Sequence, residues 1–191
     1  MPTGVHIHDA RQQLFTAAER VLLRSGPSGL TSRAVTVEAG VAKGVLHRHF
    51  TDFDEFLAEL VHDGARRIDI DSIELHASAG TGTVVHNLAA VLTALFGPVT
   101  VSVVALVIFR DELRARLRES WPVGVPMLAD AVNMVDSYLR AERTRGRIAG
   151  DADTIAMSRA LIGTAHLLFA DRTGLRPTIR EVQALVAHAL R

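Results

Sequence analysis

The sequence predicts an all-α protein of about nine helices: three at the N-terminus, a long helix after them, and a helical body. Three observations predict it. Apolar residues recur at three- and four-residue spacing through segment after segment, with no strand signal and no clear internal repeat. Clusters rich in Gly, Pro, Ser and Thr cut the chain into helix-length pieces. Of the 191 residues, 48% are hydrophobic, which is ample for a core.

Met1 to His8 reads as an arm. Asp9 with Gln12 makes a capping pair for a first helix reaching about Arg24, with Leu14, Ala18, Val21 and Leu22 as its buried stripe. Ser25-Gly26-Pro27-Ser28-Gly29 stops it. The stretch Leu30 to Phe50 then reads as two short helices around a tight turn. Thr31 caps the first, Val35 and Ala39 share one face, and Gly40 ends it in the left-handed conformation that glycine takes without a Cβ penalty. Val41 plugs the angle, and Ala42 to His49 make the second helix. Leu46 and Phe50 turn inward, while Lys43, Gly44, His47 and Arg48 face out. In a helix-turn-helix the second helix enters the major groove of DNA.

This segment resembles the DNA-binding region of TetR-type transcriptional regulators. Thr31, Val35, Ala39, Gly40, Val41, Ala42, Gly44, Leu46, His49 and Phe50 fall where that family's pattern places them. Thr36 stands where the family usually has alanine, His47 where it has tyrosine, and Phe53 where it has a lysine near a DNA phosphate. The resemblance is specific from Asp9 to about Leu60. It implies a homodimeric regulator that trades double-stranded DNA for a small-molecule effector.

Asp52 and Glu55 form a capping box for the long helix, whose apolar face is Phe53, Phe56, Leu57, Leu60, Val61, Gly64 and Ile68. Residues 1–51 are expected to be the DNA-binding domain and 52–191 the ligand-binding and dimerisation domain, with the head giving way to the body near the loop Ala77 to Thr83. Val84 to Phe96 is a helix stopped by Gly97-Pro98. Val99 to about Glu119 is one helix, or two with a break near Arg110. A loop follows from Trp121 to Pro126. Met127 to Arg145 is amphipathic, with Leu128, Val132, Val135 and Leu139 on one face. Asp151 caps a helix that is apolar on nearly every side from Ala160 to Ala170. The Thr178/Glu181 box opens the last one, with Ile179, Val182, Leu185, Val186 and Ala189 as its stripe.

Charge is unevenly spread. Through Phe50 there are six Lys plus Arg against three acids, leaving 15 bases and 18 acids beyond, so a +3 head sits on a −3 body. That suits a protein presenting one end to nucleic acid. Thr31, Ser32 and Arg33 lie at a helix N-terminus that favours phosphate. Ala42, Lys43, Gly44, Val45, His47, Arg48 and His49 form the reading surface: Lys43 and Arg48 reach phosphate or base, Val45 a thymine methyl, and His47 a phosphate, with His49 buttressing the helix.

The body holds two apolar surpluses. Ile155, Leu161, Ile162, Ala165, Leu168, Ile179, Val182, Leu185, Val186 and Ala189 are expected to form a four-helix interface with a second copy. Phe96, Val103, Leu106, Val107, Phe109, Trp121, Met127, Met134 and Phe169 are expected, through the family resemblance, to line an effector pocket, with His62, Arg110, Tyr138 and His166 as polar anchors.

No enzyme is expected. There is no phosphate-cradling glycine loop, no His-Glu-x-x-His and no Gly-x-Ser-x-Gly. The absence of cysteine excludes disulfides and thiolate chemistry, and nothing argues for secretion. The longest apolar run, Val99 to Phe109, is short of the roughly 20 residues a bilayer needs, so a cytoplasmic protein without membrane partner is expected. No metal or cofactor is expected. The competing readings are a metal sensor built on His62, His76, His86 or His166, and a small-molecule-binding helical protein whose DNA-binding head is vestigial.

Overall fold

The computed structural model describes residues 5–171 and 175–190, with side chains from Ala10 onward. These residues form ten helices and no strand: α1 Val5–Gly29, α2 Ser32–Glu38, α3 Gly44–His49, α4 Phe53–Ala77, α5 Val84–Leu95, α6 Pro98–Phe109, α7 Asp111–Leu117, α8 Leu128–Thr144, α9 Thr154–Phe169 and α10 Ile179–Ala189. The tenth helix, against the nine expected, comes from the break at Arg110. Contacts group the chain into two compact units, residues 1–63 with 102–122, and residues 64–101 with 123–191.

In the first unit, α1 begins at Val5, ahead of Asp9, so Asp9 is not its cap; the Asp9 side chain lies outside the described residues. The helix passes Arg24 and breaks at Gly26, whose φ of 67° no helical residue adopts, before a last turn over Pro27 to Gly29. Leu14, Ala18, Val21 and Leu22 are buried as their spacing requires. Phe50 packs edge-on against Phe56 at 5.1 Å and tilted against Phe15 at 6.0 Å, so α1, the end of α3 and the start of α4 share one aromatic core. Polar ties fix the register. Gln13 Nε2 donates to the Ala39 carbonyl at 2.9 Å, and Glu38 receives both Arg20 at 3.0 Å and Arg24 at 2.8 Å.

The second unit is built on α8 and α10, which both pack on α9, and on α5, which α10 also covers. Asp153, not Asp151, caps α9 by accepting from Ala156 N–H at 3.1 Å. The Thr178/Glu181 box on α10 is formed in both directions. The buried face of α8 is Ala131, Met134, Val135, Tyr138, Leu139 and Glu142. Leu128 and Val132, expected on that face, are only half-buried. At Gly64 α4 passes close to buried Met127: a Cβ there would stand 2.7 Å from Cε, the far end of that flexible side chain, which would have to shift.

Candidate nucleic-acid interface

Local chemistry builds the helix-turn-helix. Thr31 has extended backbone and its hydroxyl accepts from Ala34 N–H at 3.1 Å, supplying the acceptor that the first turn of α2 lacks. At the other end Val41 N–H reaches the Thr36 carbonyl at 3.0 Å and Gly40 N–H the Val37 carbonyl at 3.1 Å. This paired closure needs a left-handed residue between, and Gly40 has φ 68°. Thr36, an alanine in the resemblance pattern, is buried because its hydroxyl is satisfied at home, donating to the carbonyls of Ser32 at 3.0 Å and Arg33 at 3.2 Å.

The recognition helix α3 begins at Gly44 rather than Ala42, with Lys43 at the cap position. Leu46 is fully buried and anchors it. Everything else on it looks outward: Ala42, Lys43, Gly44, His47 and Arg48 are exposed, and Val45 and His49 half-buried. His49 lies edge-on to Phe50 at 6.4 Å, which suits a buttress. A Cβ on Gly44 would meet nothing within 4 Å, so the surface there is open for a close approach. Arg33 is exposed and Thr31 is exposed but already capping, whereas the Ser32 hydroxyl oxygen is buried without a hydrogen bond.

Behind the recognition helix, Asp52 caps α4 by accepting from Glu55 N–H at 2.6 Å. Glu55 reaches back to Thr51 N–H and hydroxyl, each at 2.5 Å, one residue before the expected partner. Phe53 stacks on Phe56 at 5.6 Å. Arg110 Nε binds Asp54 at 2.9 Å with its guanidinium over the Phe53 ring, and Arg116 binds Asp52 at 2.8 Å. Sequence reasoning missed these two arginines as parts of the head, because they join it across more than fifty residues of chain.

The residues expected to line a pocket are dispersed. Phe96, Val103, Leu106, Val107, Met127, Met134 and Tyr138 are core, while Phe109 is 81% exposed. Arg110 is committed to Asp54, and Trp121 packs on His62 at 4.9 Å. Phe96 stacks on Phe169 at 5.8 Å, with His166 at 6.0 Å; burial holds the His166 imidazole below its ordinary pKa. None of them lines the open groove of about 450 Å³ between the loop at Val123–Val125 and helices α8 and α9, whose walls include Leu128, Val132, Ile155 and Ile162, with Asn133 and Arg159 as polar members. Of the expected interface residues, Leu161, Ile162, Ala165, Val182 and Val186 are buried within this chain, and Ile155, Leu168, Leu185 and Ala189 are half-buried, leaving Ile179 exposed. Among the described residues no three His, Asp or Glu side chains converge as a metal site needs, and no single helix is long and apolar enough to cross a membrane.

A short capped helix, a glycine turn and an outward-facing helix that carries cations define a helix-turn-helix head on an all-helical chain. Residues 14–60 match the sequence model of bacterial regulatory proteins of the tetR family. The HTH-type transcriptional regulator PksA of Bacillus subtilis (strain 168) is 36% identical over 58 residues, which are 30% of this chain and 28% of that protein. The match thus spans less than a third of that relative. Over the full length the fold is similar to that of the transcriptional regulator FadR from Bacillus subtilis, solved with stearoyl-CoA (TM-score 0.71, 18% identity, covering 94% of this chain and 97% of that one). It is also similar to Salmonella enterica GusR (TM-score 0.70, 13% identity, 95% of each chain) and to the multidrug binding protein EbrR complexed with imidazole (TM-score 0.62, 17% identity, 95% and 94%). The likeness to the tetR family is thus carried in sequence by the head, residues 14–60, and beyond it in fold alone.

Proposed function

We propose that this protein is a ligand-responsive transcriptional regulator, a repressor that binds a palindromic operator as a homodimer. One observation carries the reading: on a recognition helix anchored only by Leu46, the exposed Lys43, His47 and Arg48 have no partner within the protein among the described residues. The unpaired cations Lys43 and Arg48, with the His47 ring beside them, on a helix of groove-fitting shape suit phosphate and base edges. The DNA-binding surface we assign is Thr31, Arg33, Ala42, Lys43, Gly44, Val45, His47 and Arg48, with residues 1–51 as the domain that carries it.

The body supports a dimer and an effector. After α9 has packed on its neighbours, its open face presents Ala156, Ala160, Gly163, Thr164 and the 76% exposed Leu167, a stripe at helical spacing whose small side chains allow a second helix close. Pairing two copies through α9 and α10 would set two recognition helices about 34–36 Å apart, as a palindrome requires. The effector is a small, mostly apolar molecule, and the Val123–Gly163 groove, with Arg159 and Asn133 at its wall, is a site of suitable size. That FadR was solved with stearoyl-CoA and EbrR with imidazole supports a helical body that takes small molecules. The effector relieves repression only if it binds the released form better than the DNA-bound one.

The test is binding to DNA from immediately upstream of the protein's own gene, titrated with salt. Tight binding that resists competitor DNA and falls steeply with salt is the expected result. Binding no stronger than to random DNA, wherever upstream sequence is sampled, would refute it. Sedimentation at micromolar concentration checks the dimer, and a monomer throughout would end that part.

A further inference from the structure

The first turn of α4 poses an electrostatic conflict. Asp52, Asp54 and Glu55 put three acids there, and Phe53 between them adds no cation. Asp52 cannot simply be dispensed with, because its carboxylate caps α4. Yet Asp52 lies only four residues beyond Arg48 of the recognition helix. Even a fully extended chain would put it no more than about 14 Å away, close to the Debye length of about 10 Å at 0.1 M salt. Bare carboxylates at that range repel the phosphates that Lys43 and Arg48 are to meet.

The structure resolves the conflict with two arginines from a distant part of the chain. Arg116 of α7 meets the Asp52 oxygen that is not capping, at 2.8 Å, and Arg110, at the α6–α7 break, meets Asp54 at 2.9 Å while lying over Phe53 at 5.7 Å. Glu55 is occupied by Thr51. We propose that Arg110 and Arg116 are positioning residues for DNA binding: without touching DNA themselves, they neutralise the acids at the start of α4 and so permit the recognition helix to approach the phosphate backbone. The inference rests on the DNA-binding reading above. It makes the short helix α7, outside the helix-turn-helix, a determinant of affinity.

Because phosphate repulsion is sequence-independent, the test needs no operator. Binding of the full chain to a random-sequence duplex of about 30 base pairs would be followed by fluorescence anisotropy from about 50 to 300 mM salt. Arg116→Ala exposes Asp52 and is expected to bind about five- to ten-fold more weakly at the lowest salt, with the deficit shrinking toward none as screening rises. Adding Asp52→Asn, which still caps, is expected to bring R116A back to within about two-fold of wild type. Thermal unfolding of all three should coincide within about a degree or two, since an exposed pair adds little stability. A deficit that persists at high salt, or a double variant as weak as R116A, would mean that Arg116 contacts phosphate directly or acts through the fold, and either overturns the proposal. So would unimpaired binding by R116A. Failure of the wild type to bind any duplex at low salt would instead strike the regulator reading itself.

Discussion

Two charged clusters in this molecule have opposite surroundings. On α3, Lys43, His47 and Arg48 stand exposed. In the second unit, Glu142 is fully buried, with polar groups gathered on its Oε1 while its Oε2 accepts no hydrogen bond. Tyr138 Oη donates to its Oε1 at 2.7 Å, Gly80 N–H reaches the same oxygen at 3.2 Å, and Arg147 lies 3.2 Å from Oε2. Asn87 Nδ2 in turn donates to Tyr138 Oη at 3.0 Å and to the Thr81 carbonyl, and Arg147 Nη2 to the Gly82 carbonyl at 2.5 Å. The cluster ties the α4–α5 loop to the end of α8. Charge that is buried and paired holds a fold, and its removal leaves partners stranded. Charge that is exposed and unpaired does nothing for the fold and is available to a ligand.

The comparison predicts opposite readouts for the two clusters. Glu142→Ala should give the largest effect in the molecule, about 3–5 kcal/mol of lost stability in urea unfolding, because Arg147, Tyr138 and Gly80 all lose their shared acceptor. A loss below about 1 kcal/mol would show that the cluster is not the clasp we describe. Lys43→Ala should do the reverse. We expect an unchanged unfolding midpoint and operator binding weaker by about 1–3 kcal/mol, about five-fold to a hundred-fold or more, in a gel shift. Unchanged affinity would remove Lys43 from the interface, and a lowered midpoint would break the contrast between the clusters.

The same contrast explains what the sequence could disclose. The helix-turn-helix was legible because its determinants are local. Thr31 to Ala34, Thr36 to Val41, and Leu46 to Phe50 each act within five residues, where helical geometry fixes who meets whom. The Glu142 cluster joins Arg147 to Gly82 across 65 positions, and Arg110 meets Asp54 across 56, so periodicity carried no trace of either. Caps were legible as a type and not always as a position: Asp151 and Asp153 both precede the apolar run of α9, and the backbone selects Asp153. The helix α9 itself is apolar nearly all round, so its sequence could not tell which stripe packs inward, here Leu161, Ile162 and Ala165, and which stays open. The grouping of residues 102–122 with residues 1–63 shows the same limit, since it depends on contacts distant in sequence.

The finest test of the buried cluster is a proton. Burial, reinforced by the hydrogen bond to Glu142, pushes the Tyr138 phenol up to about 12 from an ordinary value of 10.0. The folded protein therefore prefers the neutral phenol more strongly than the unfolded chain does. That preference is present in full below pH 10 and is lost as pH rises from there toward 12, because only the unfolded chain then releases the proton readily. Tyr138→Phe cannot ionise, so its stability should lack this fall between pH 10 and 12. At pH 7 the variant should be weaker by about 1–2 kcal/mol, since Glu142 loses a donor inside a dry site. The two stability curves should converge as pH rises. Parallel curves across that range would mean that the phenol's proton is not held by the fold, and that the cluster is wetter than its packing implies.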